Sequence, residues 1–194
     1  TLSLHDALPI SIIFGLLSFV SYLVEGAVGD WSALYLFEDK GIVIQEAVMG
    51  VMLFNGTMCI GRLLGNTIGK HVTSKQVVVG GYLLGAIAMA LIVFLPGHAS
   101  MYTYLLLGIS LAMVVPNLFS AMGEQNVIPM TQAVATSTML GYMGILMGPA
   151  LIGFIAHGTS LTIAFIVLTV LLVISAGIGK YAYYLMNKNC GIEE

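Results

Sequence analysis

The stretch VVVGGYLLGAIAMALIVFL, residues 77–95, decides the fold class, because it runs for 19 positions without a charged side chain. An α-helix needs about 20 mostly apolar residues to cross the hydrocarbon core of a bilayer. A transmembrane β-strand needs only about 10 residues, in strict alternation of apolar and polar positions, and this stretch does not alternate. It therefore predicts a membrane-spanning helix.

The composition of the whole chain agrees with a membrane protein. Of 194 residues, 59% are hydrophobic and only 8% are charged, and the mean hydropathy is +1.02. Soluble domains carry about 25% charged residues. The two cysteines lack disulfide or metal-binding spacing, so no cofactor or metal is expected. Only six Lys and Arg residues occur, which argues against a nucleic-acid partner.

Five further apolar stretches flank the first one. The six predicted spans cover residues 12–37, 47–68, 77–95, 101–122, 131–156 and 161–185. The loops between them are short, and no soluble domain intervenes. The sequence thus predicts an all-α, polytopic protein with one six-helix membrane domain at residues 11–188 and a tail at 189–194.

The first ten residues, TLSLHDALPI, do not match the rest of the chain. A secretory signal would begin with basic residues, and this segment has none. The segment resembles an in-frame translation of a sequencing adapter, so we set residues 1–10 apart as a non-native segment. We expect the native sequence to start at or near Ser11 and to come from a longer protein.

The basic residues predict the orientation in the membrane, because short loops rich in Lys and Arg remain cytoplasmic. If the first helix runs outward, five basic residues lie on the cytoplasmic side and only Lys40 lies outside. The five are Arg62, Lys70, Lys75, Lys180 and Lys188. This distribution predicts a cytoplasmic C-terminus.

Four motifs carry a family resemblance. They are EGAVGDWSALYL (25–36), GRLLGNTIGK (61–70), VVPNLFSAMGEQ (114–125) and GYMGILMGPALIG (141–153). In this order they resemble the C-terminal half of a bacterial major facilitator superfamily (MFS) transporter, in a branch related to fucose-type sugar permeases. The resemblance implies two inverted three-helix repeats, a missing N-terminal six-helix half, the bacterial inner membrane as location, and alternating access for a small polar solute.

The motif at residues 61–70 resembles the cytoplasmic-loop signature of this superfamily. That signature implies a gate built from charged residues, for which Arg62, Asn66 and Lys70 are the candidates. Asn66 stands where an acid is usual, and Thr67 where a basic residue is usual, so the charge relay is at best partial. The alternative is that the basic residues only anchor the topology.

Glu25 is the main candidate for function, because ionisable side chains inside a span are expensive and usually face a cavity or a partner. Ser18, Tyr22, Glu25, Gly29 and Ser32 recur every three or four residues, which places them on one helix face. The predicted substrate or proton path comprises Tyr22, Glu25, Asp30, Ser32, Asn55, Asn117, Glu124 and Tyr142. The alternative for each is a structural hydrogen bond to a neighbouring helix.

Small residues in the fifth span predict close helix packing. Gly144 and Gly148 form a GxxxG spacing, which lets another backbone approach. With Gly141 and Pro149 they form a predicted packing and flexing surface, and Pro116 offers a bend in the fourth span.

Motifs for enzymatic chemistry are missing from the sequence: there is no HExxH, GxSxG, P-loop or CxxC. An enzyme is therefore not expected. Two functions stay open: a secondary transporter, with proton coupling suggested by Glu25, and a six-helix assembly or receptor subunit without transport. Polar stripes inside several spans favour the transporter.

Overall fold

Every regular element that the structure describes is an α-helix. The computed structural model describes residues 4–124 and 130–190, and side-chain surroundings within 12–65, 67, 69–123, 131 and 134–188. The helices are α1 (Leu4–Glu38), α2 (Ile44–Leu63), α3 (Gly65–Ile68), α4 (Ser74–Phe94), α5 (Gly97–Tyr102), α6 (Tyr104–Leu111), α7 (Val114–Glu124), α8 (Met130–Gly158) and α9 (Leu161–Cys190). The all-α fold class is confirmed.

Six segments are long and apolar enough to cross a membrane, as predicted. They are Ile12–Glu38, Ile44–Leu63, Ser74–Phe94, Gly97–Gly123, Val134–Gly158 and Leu161–Lys188. Several predicted helix ends differ from the structure, among them the first and the last. Helix α1 begins at Leu4, inside the segment that was set apart, and α9 runs to Cys190, into the predicted tail. No glycine or proline stands between Leu185 and Cys190 to end the last helix.

The fourth span is built from three helices, where the sequence predicted one helix with a bend. Pro116 lies in the first turn of α7, and it has no amide hydrogen to donate to the carbonyl of Ala112, four residues earlier. The helix is interrupted just there, at residues 112–113. The regular bonding resumes when the Asn117 amide donates to the Met113 carbonyl at 3.2 Å.

A capping box fixes the start of α4. The Thr73 hydroxyl accepts from the Gln76 amide at 3.3 Å, and the Gln76 side chain accepts from the Thr73 amide at 3.1 Å. The two bonds satisfy backbone donors that a helix N-terminus otherwise leaves without partners. This local sequence signal sets where the loop between the second and third spans ends.

The spans pack in a pattern with internal symmetry. The most extensive pairs are α1 with α8, α4 with α9, and α2 with α6. These pairs join spans one and five, three and six, and two and four. If each of spans one to three is exchanged with the span three places later, the pair of α1 and α8 takes the place of the pair of α2 and α6, and the pair of α4 and α9 is unchanged. Corresponding spans run in opposite directions, so this pattern is consistent with two inverted three-helix repeats in half an MFS fold.

Glycines allow α1 and α8 to approach closely. A Cβ on Gly144 would collide with the carbonyl oxygen of Phe19, and one on Gly148 would lie 2.5 Å from the carbonyl oxygen of Leu23. The two glycines of the GxxxG spacing therefore lie directly on the α1 backbone. Any larger residue at Gly144 would force the two helices apart.

Glycines also allow α2 and α6 to approach closely. A Cβ on Gly108 would collide with the Phe54 carbonyl oxygen, and one on Gly61 would lie 2.5 Å from the Ala112 side chain. The symmetry of the helix pairs thus extends to the small residues that make close packing possible.

A buried hydrogen-bond group ties α1 to α4. The fully buried Tyr82 hydroxyl donates to the Leu17 carbonyl at 2.7 Å and lies 2.8 Å from the Ser21 hydroxyl. In a membrane interior, polar groups need such internal partners because lipid offers none. Tyr82 therefore fixes the relative position of the first and third spans.

Side-chain contacts link three spans at one end of the bundle. At the end where α1 stops, here called the Asp39 end, Asp39 accepts from the Thr162 hydroxyl at 2.6 Å and Lys40 donates to the Val93 carbonyl at 2.6 Å. These contacts link the first, third and sixth spans. The opposite end, here called the Lys70 end, contains the loop between α3 and α4.

Candidate functional site

An ion pair joins the first and second spans. Arg62 Nη2 lies 3.3 Å from both carboxylate oxygens of Glu25. The Glu25 side chain is 13% exposed and that of Arg62 is 45% exposed. The pair thus lies at the edge of the bundle, with the acid turned inward and the base turned outward.

The sequence predicts separate roles for these two residues, Glu25 on the path and Arg62 at the gate. A register count could have joined them. Helices α1 and α2 are antiparallel, so residues equally far from the loop between them lie at similar heights. Glu25 lies 13 residues before Glu38, where α1 ends, and residue 57 lies 13 residues after Ile44, where α2 begins. Arg62 lies five residues further, about 7.5 Å along the helix, which the long arginine side chain can span.

Two tyrosines extend the charge pair toward α8. The rings of Tyr22 and Tyr142 are stacked, with centroids 6.3 Å apart and planes within 5° of parallel. Gly141 makes room for them, since a Cβ there would lie 2.5 Å from the Tyr22 ring. Tyr142 is 63% exposed. The path candidates Tyr22, Glu25 and Tyr142 thus lie together with the gate candidate Arg62 in one strip.

Polar side chains of α2 lie on the outside of the bundle. Asn55, Cys59 and Arg62 are all exposed, and Asn55 Nδ2 donates to the Val51 carbonyl of its own helix, at 3.0 Å. Lipid would be a poor environment for such a face. This face needs either water or another polypeptide beside it.

Other predicted path residues lie elsewhere. Ser32 is fully buried in the bundle, and Asp30 is exposed on α1, on a different side from Glu25. Asn117 is half-buried and donates to the Met113 carbonyl at 2.8 Å. The side chains of Glu124 and Asn66 lie outside the described residues. The structure therefore does not bring the whole predicted path together.

A cavity of about 530 Å³ opens at the Lys70 end. Its polar lining residues are Arg62, Lys70, Ser74, Asn117 and Ser120, and Pro116 also lines it. The cavity thus contains two of the three gate candidates and lies beside the ion pair through Arg62. We call it the basic cavity.

Metal chemistry finds no support in the described part of the chain, where no group of three or more His, Cys, Asp and Glu side chains could hold an ion. The remaining features are six membrane-spanning helices, an ion pair between two of them, and a basic cavity next to it. They define a polytopic helical membrane protein with ionisable groups placed inside the spans.

Known proteins with similar sequences identify this class of protein more specifically. The chain is 41% identical over 152 residues to an uncharacterized MFS-type transporter of Yersinia pestis, covering 78% of the chain and 40% of that protein. It is 30% identical to membrane protein MosC of Rhizobium meliloti, covering 77% of the chain and 37% of MosC. It is 27% identical to the fosmidomycin resistance protein of Escherichia coli, covering 81% and 39%. No protein-family model matches the chain.

These similarities support membrane transport of the MFS type, in a multi-pass bacterial membrane protein. The Yersinia pestis relative is named as a transporter, which points away from an enzyme. The chain spans only about 40% of the length of these relatives.

Proposed function

We propose that the chain forms the C-terminal six-helix half of an MFS secondary transporter of the bacterial inner membrane, which moves a small polar solute by alternating access. The observation that carries the proposal is the ion pair between Glu25, in the middle of the first span, and Arg62, in the last turn of α2. A charged residue at the centre of a span costs about 2.5 to 3.5 kcal/mol on insertion scales. A protein retains such a residue there mainly for an ion or substrate pathway.

The chemistry of the pair suits proton coupling. An arginine remains protonated in proteins, so of the two groups only the Glu25 carboxylate can gain or lose a proton. Protonation of Glu25 would release Arg62, because a neutral carboxyl group no longer attracts the guanidinium group. This event changes the link between the first and second spans, which is what a coupled conformational change requires.

The partner of this bundle would be the N-terminal six-helix half of the same protein. Only 28% of the α2 span and 22% of the α8 span are buried, whereas the fourth span is 56% buried. Spans two and five correspond to each other in the inverted repeat, and α2 carries its polar residues on the uncovered side. A second bundle that rocks against these two helices would cover them and complete the site.

Three finer parts of the proposal rest on the sequence. The motifs suggest a branch related to fucose-type permeases, and hence a sugar-like solute, although none of the three relatives above is named as a sugar permease. The distribution of basic residues suggests that the Lys70 end and the C-terminus face the cytoplasm. The resemblance of residues 1–10 to a translated sequencing adapter suggests a non-native origin.

The test uses the full-length protein with Glu25→Gln, which keeps the shape of the side chain but cannot exchange a proton. Uptake of radiolabelled solutes, from a panel of monosaccharides that includes fucose, is measured in cells between pH 5.5 and 8. We expect the pH dependence of uptake to disappear in this variant. The matched control is Asp30→Asn, which removes an exposed acid from the same helix.

Unchanged pH dependence with Glu25→Gln would contradict proton coupling at this site. Failure of the parent protein to move any solute of the panel, together with stable assembly into a larger complex, would favour the alternative of a subunit without transport activity.

A further inference from the structure

The basic cavity carries positive charge, and the transport proposal assigns no role to Lys70 in it. Arg62 and Lys70 both line it, and none of the described lining residues is acidic. Among the side chains that the structure describes, Lys70 has no hydrogen-bond or ion-pair partner. A cation without a partner in a concave site attracts an anion.

Arg62 can serve this cavity and Glu25 together. Both of its hydrogen bonds to Glu25 come from Nη2. A guanidinium group has five N–H donors, so those on Nη1 and Nε are not committed to Glu25. Their planar arrangement suits an oxyanion with several oxygens, such as phosphate.

Neutral groups in the lining add hydrogen-bond donors. Ser74 lines the cavity and is the first residue of α4, so the positive end of a 21-residue helix lies at the cavity wall. The first-turn amides of a helix have no acceptor within the helix, and the amide of Gln76 donates to the Thr73 hydroxyl. The Ser120 hydroxyl also lines the cavity.

We propose that the basic cavity binds a phosphate group, supplied by the headgroup of an anionic phospholipid or by a soluble phosphate ester. The volume of about 530 Å³ falls in the range of small-molecule sites. Basic pockets between membrane helices suit anionic headgroups in general. A phosphate held between Lys70 and Arg62 joins the loop after α3 to the ion pair, so its binding stabilises one arrangement of α2 against α4.

The test measures binding of phosphatidylglycerol and of phosphatidylcholine to the full-length protein in detergent, by native mass spectrometry. We expect phosphatidylglycerol to bind more tightly, and Lys70→Gln to weaken its binding about fivefold. The matched control is Lys180→Gln, which removes the same charge from α9 outside the cavity lining. Lys70→Arg keeps the charge and should restore binding, which separates loss of charge from misfolding.

Inorganic phosphate distinguishes the two sources. If phosphate competes with phosphatidylglycerol, and this competition depends on Lys70, the site accepts soluble phosphate groups. If the lipid binds and phosphate does not compete, the site is specific for the headgroup. Equal affinities for the two lipids, no effect of Lys70→Gln, or an equal loss with Lys180→Gln would each overturn the proposal. None of these results depends on whether transport is proton-coupled.

Discussion

Replacing Glu25 and Arg62 singly and together tests whether the two residues act as one unit. Glu25→Gln leaves a guanidinium group that is nearly half exposed and can turn to water, so the loss should be moderate. Arg62→Gln leaves a carboxylate that is only 13% exposed, with no opposite charge beside it. A buried charged group without a partner costs more than an exposed one.

The magnitudes follow from this asymmetry. We expect Arg62→Gln to lower the free energy of unfolding by about 1 to 3 kcal/mol, and Glu25→Gln by less. In the double variant no charge remains without a partner. Its loss should therefore be smaller than the sum of the single losses, with a coupling of about 0.5 to 3 kcal/mol.

The assay is denaturant unfolding of the full-length protein in mixed micelles, for the parent, both single variants and the double variant. Asp30→Asn is the control, since an exposed acid on the same helix should change stability by less than about 0.5 kcal/mol. If the single losses add to within about 0.5 kcal/mol, the pair is not an energetic unit. That result would refute both the ion pair and the coupling mechanism built on it.

Four further predictions concern packing, topology and the length of the native protein. Gly144→Ala should destabilise the bundle by about 1 to 3 kcal/mol, because its Cβ meets the α1 backbone; Gly56→Ala, with open space around it, is the control, and equal unfolding midpoints for the two variants would contradict the packing argument. Tyr82→Phe removes a fully buried hydroxyl with two partners and should cost about 1 to 2 kcal/mol, measured by the same unfolding assay; a neutral effect would show that water or another group replaces it. A reporter that is active only in the cytoplasm, fused after Glu194, should be active, because the C-terminus is predicted to be cytoplasmic; an inactive reporter would reverse the predicted orientation. Genomic sequencing upstream of the Ser11 codon should show a continuing reading frame with six more apolar segments, and a start codon just upstream would contradict the fragment prediction.

Hydropathy alone predicted the number of spans, since about 20 apolar residues form a helix in a bilayer whatever their tertiary contacts. Helix ends were less predictable, because they depend on local chemistry that hydropathy does not include. The capping box at Thr73 and the interruption before Pro116 are examples. Both signals were present in the sequence. The capping box moved the start of the third span, and Pro116 divided the fourth span.

The site was only partly predictable, for a different reason. Helical periodicity shows which residues share a face of one helix, but it does not show what lies opposite that face. Ser32 shares a face with Glu25 by spacing, yet it is buried against the bundle, while Glu25 reaches the edge. The partner of Glu25 comes from another helix, so its discovery required the register between α1 and α2.

The position of the ion pair argues for a function at the boundary between two bundles. A pair buried in the centre of the bundle would lose the hydration of both charges, and its surroundings would stay the same whether or not a second bundle lay beside it. Here the acid lies at the edge and the base faces outward, on the polar side of a span that its own bundle leaves mostly uncovered. A group in that position changes its surroundings whenever a second bundle approaches or withdraws. The free energy of the pair would then differ between the two states, and this difference is the requirement for coupling a proton or an anion to the movement.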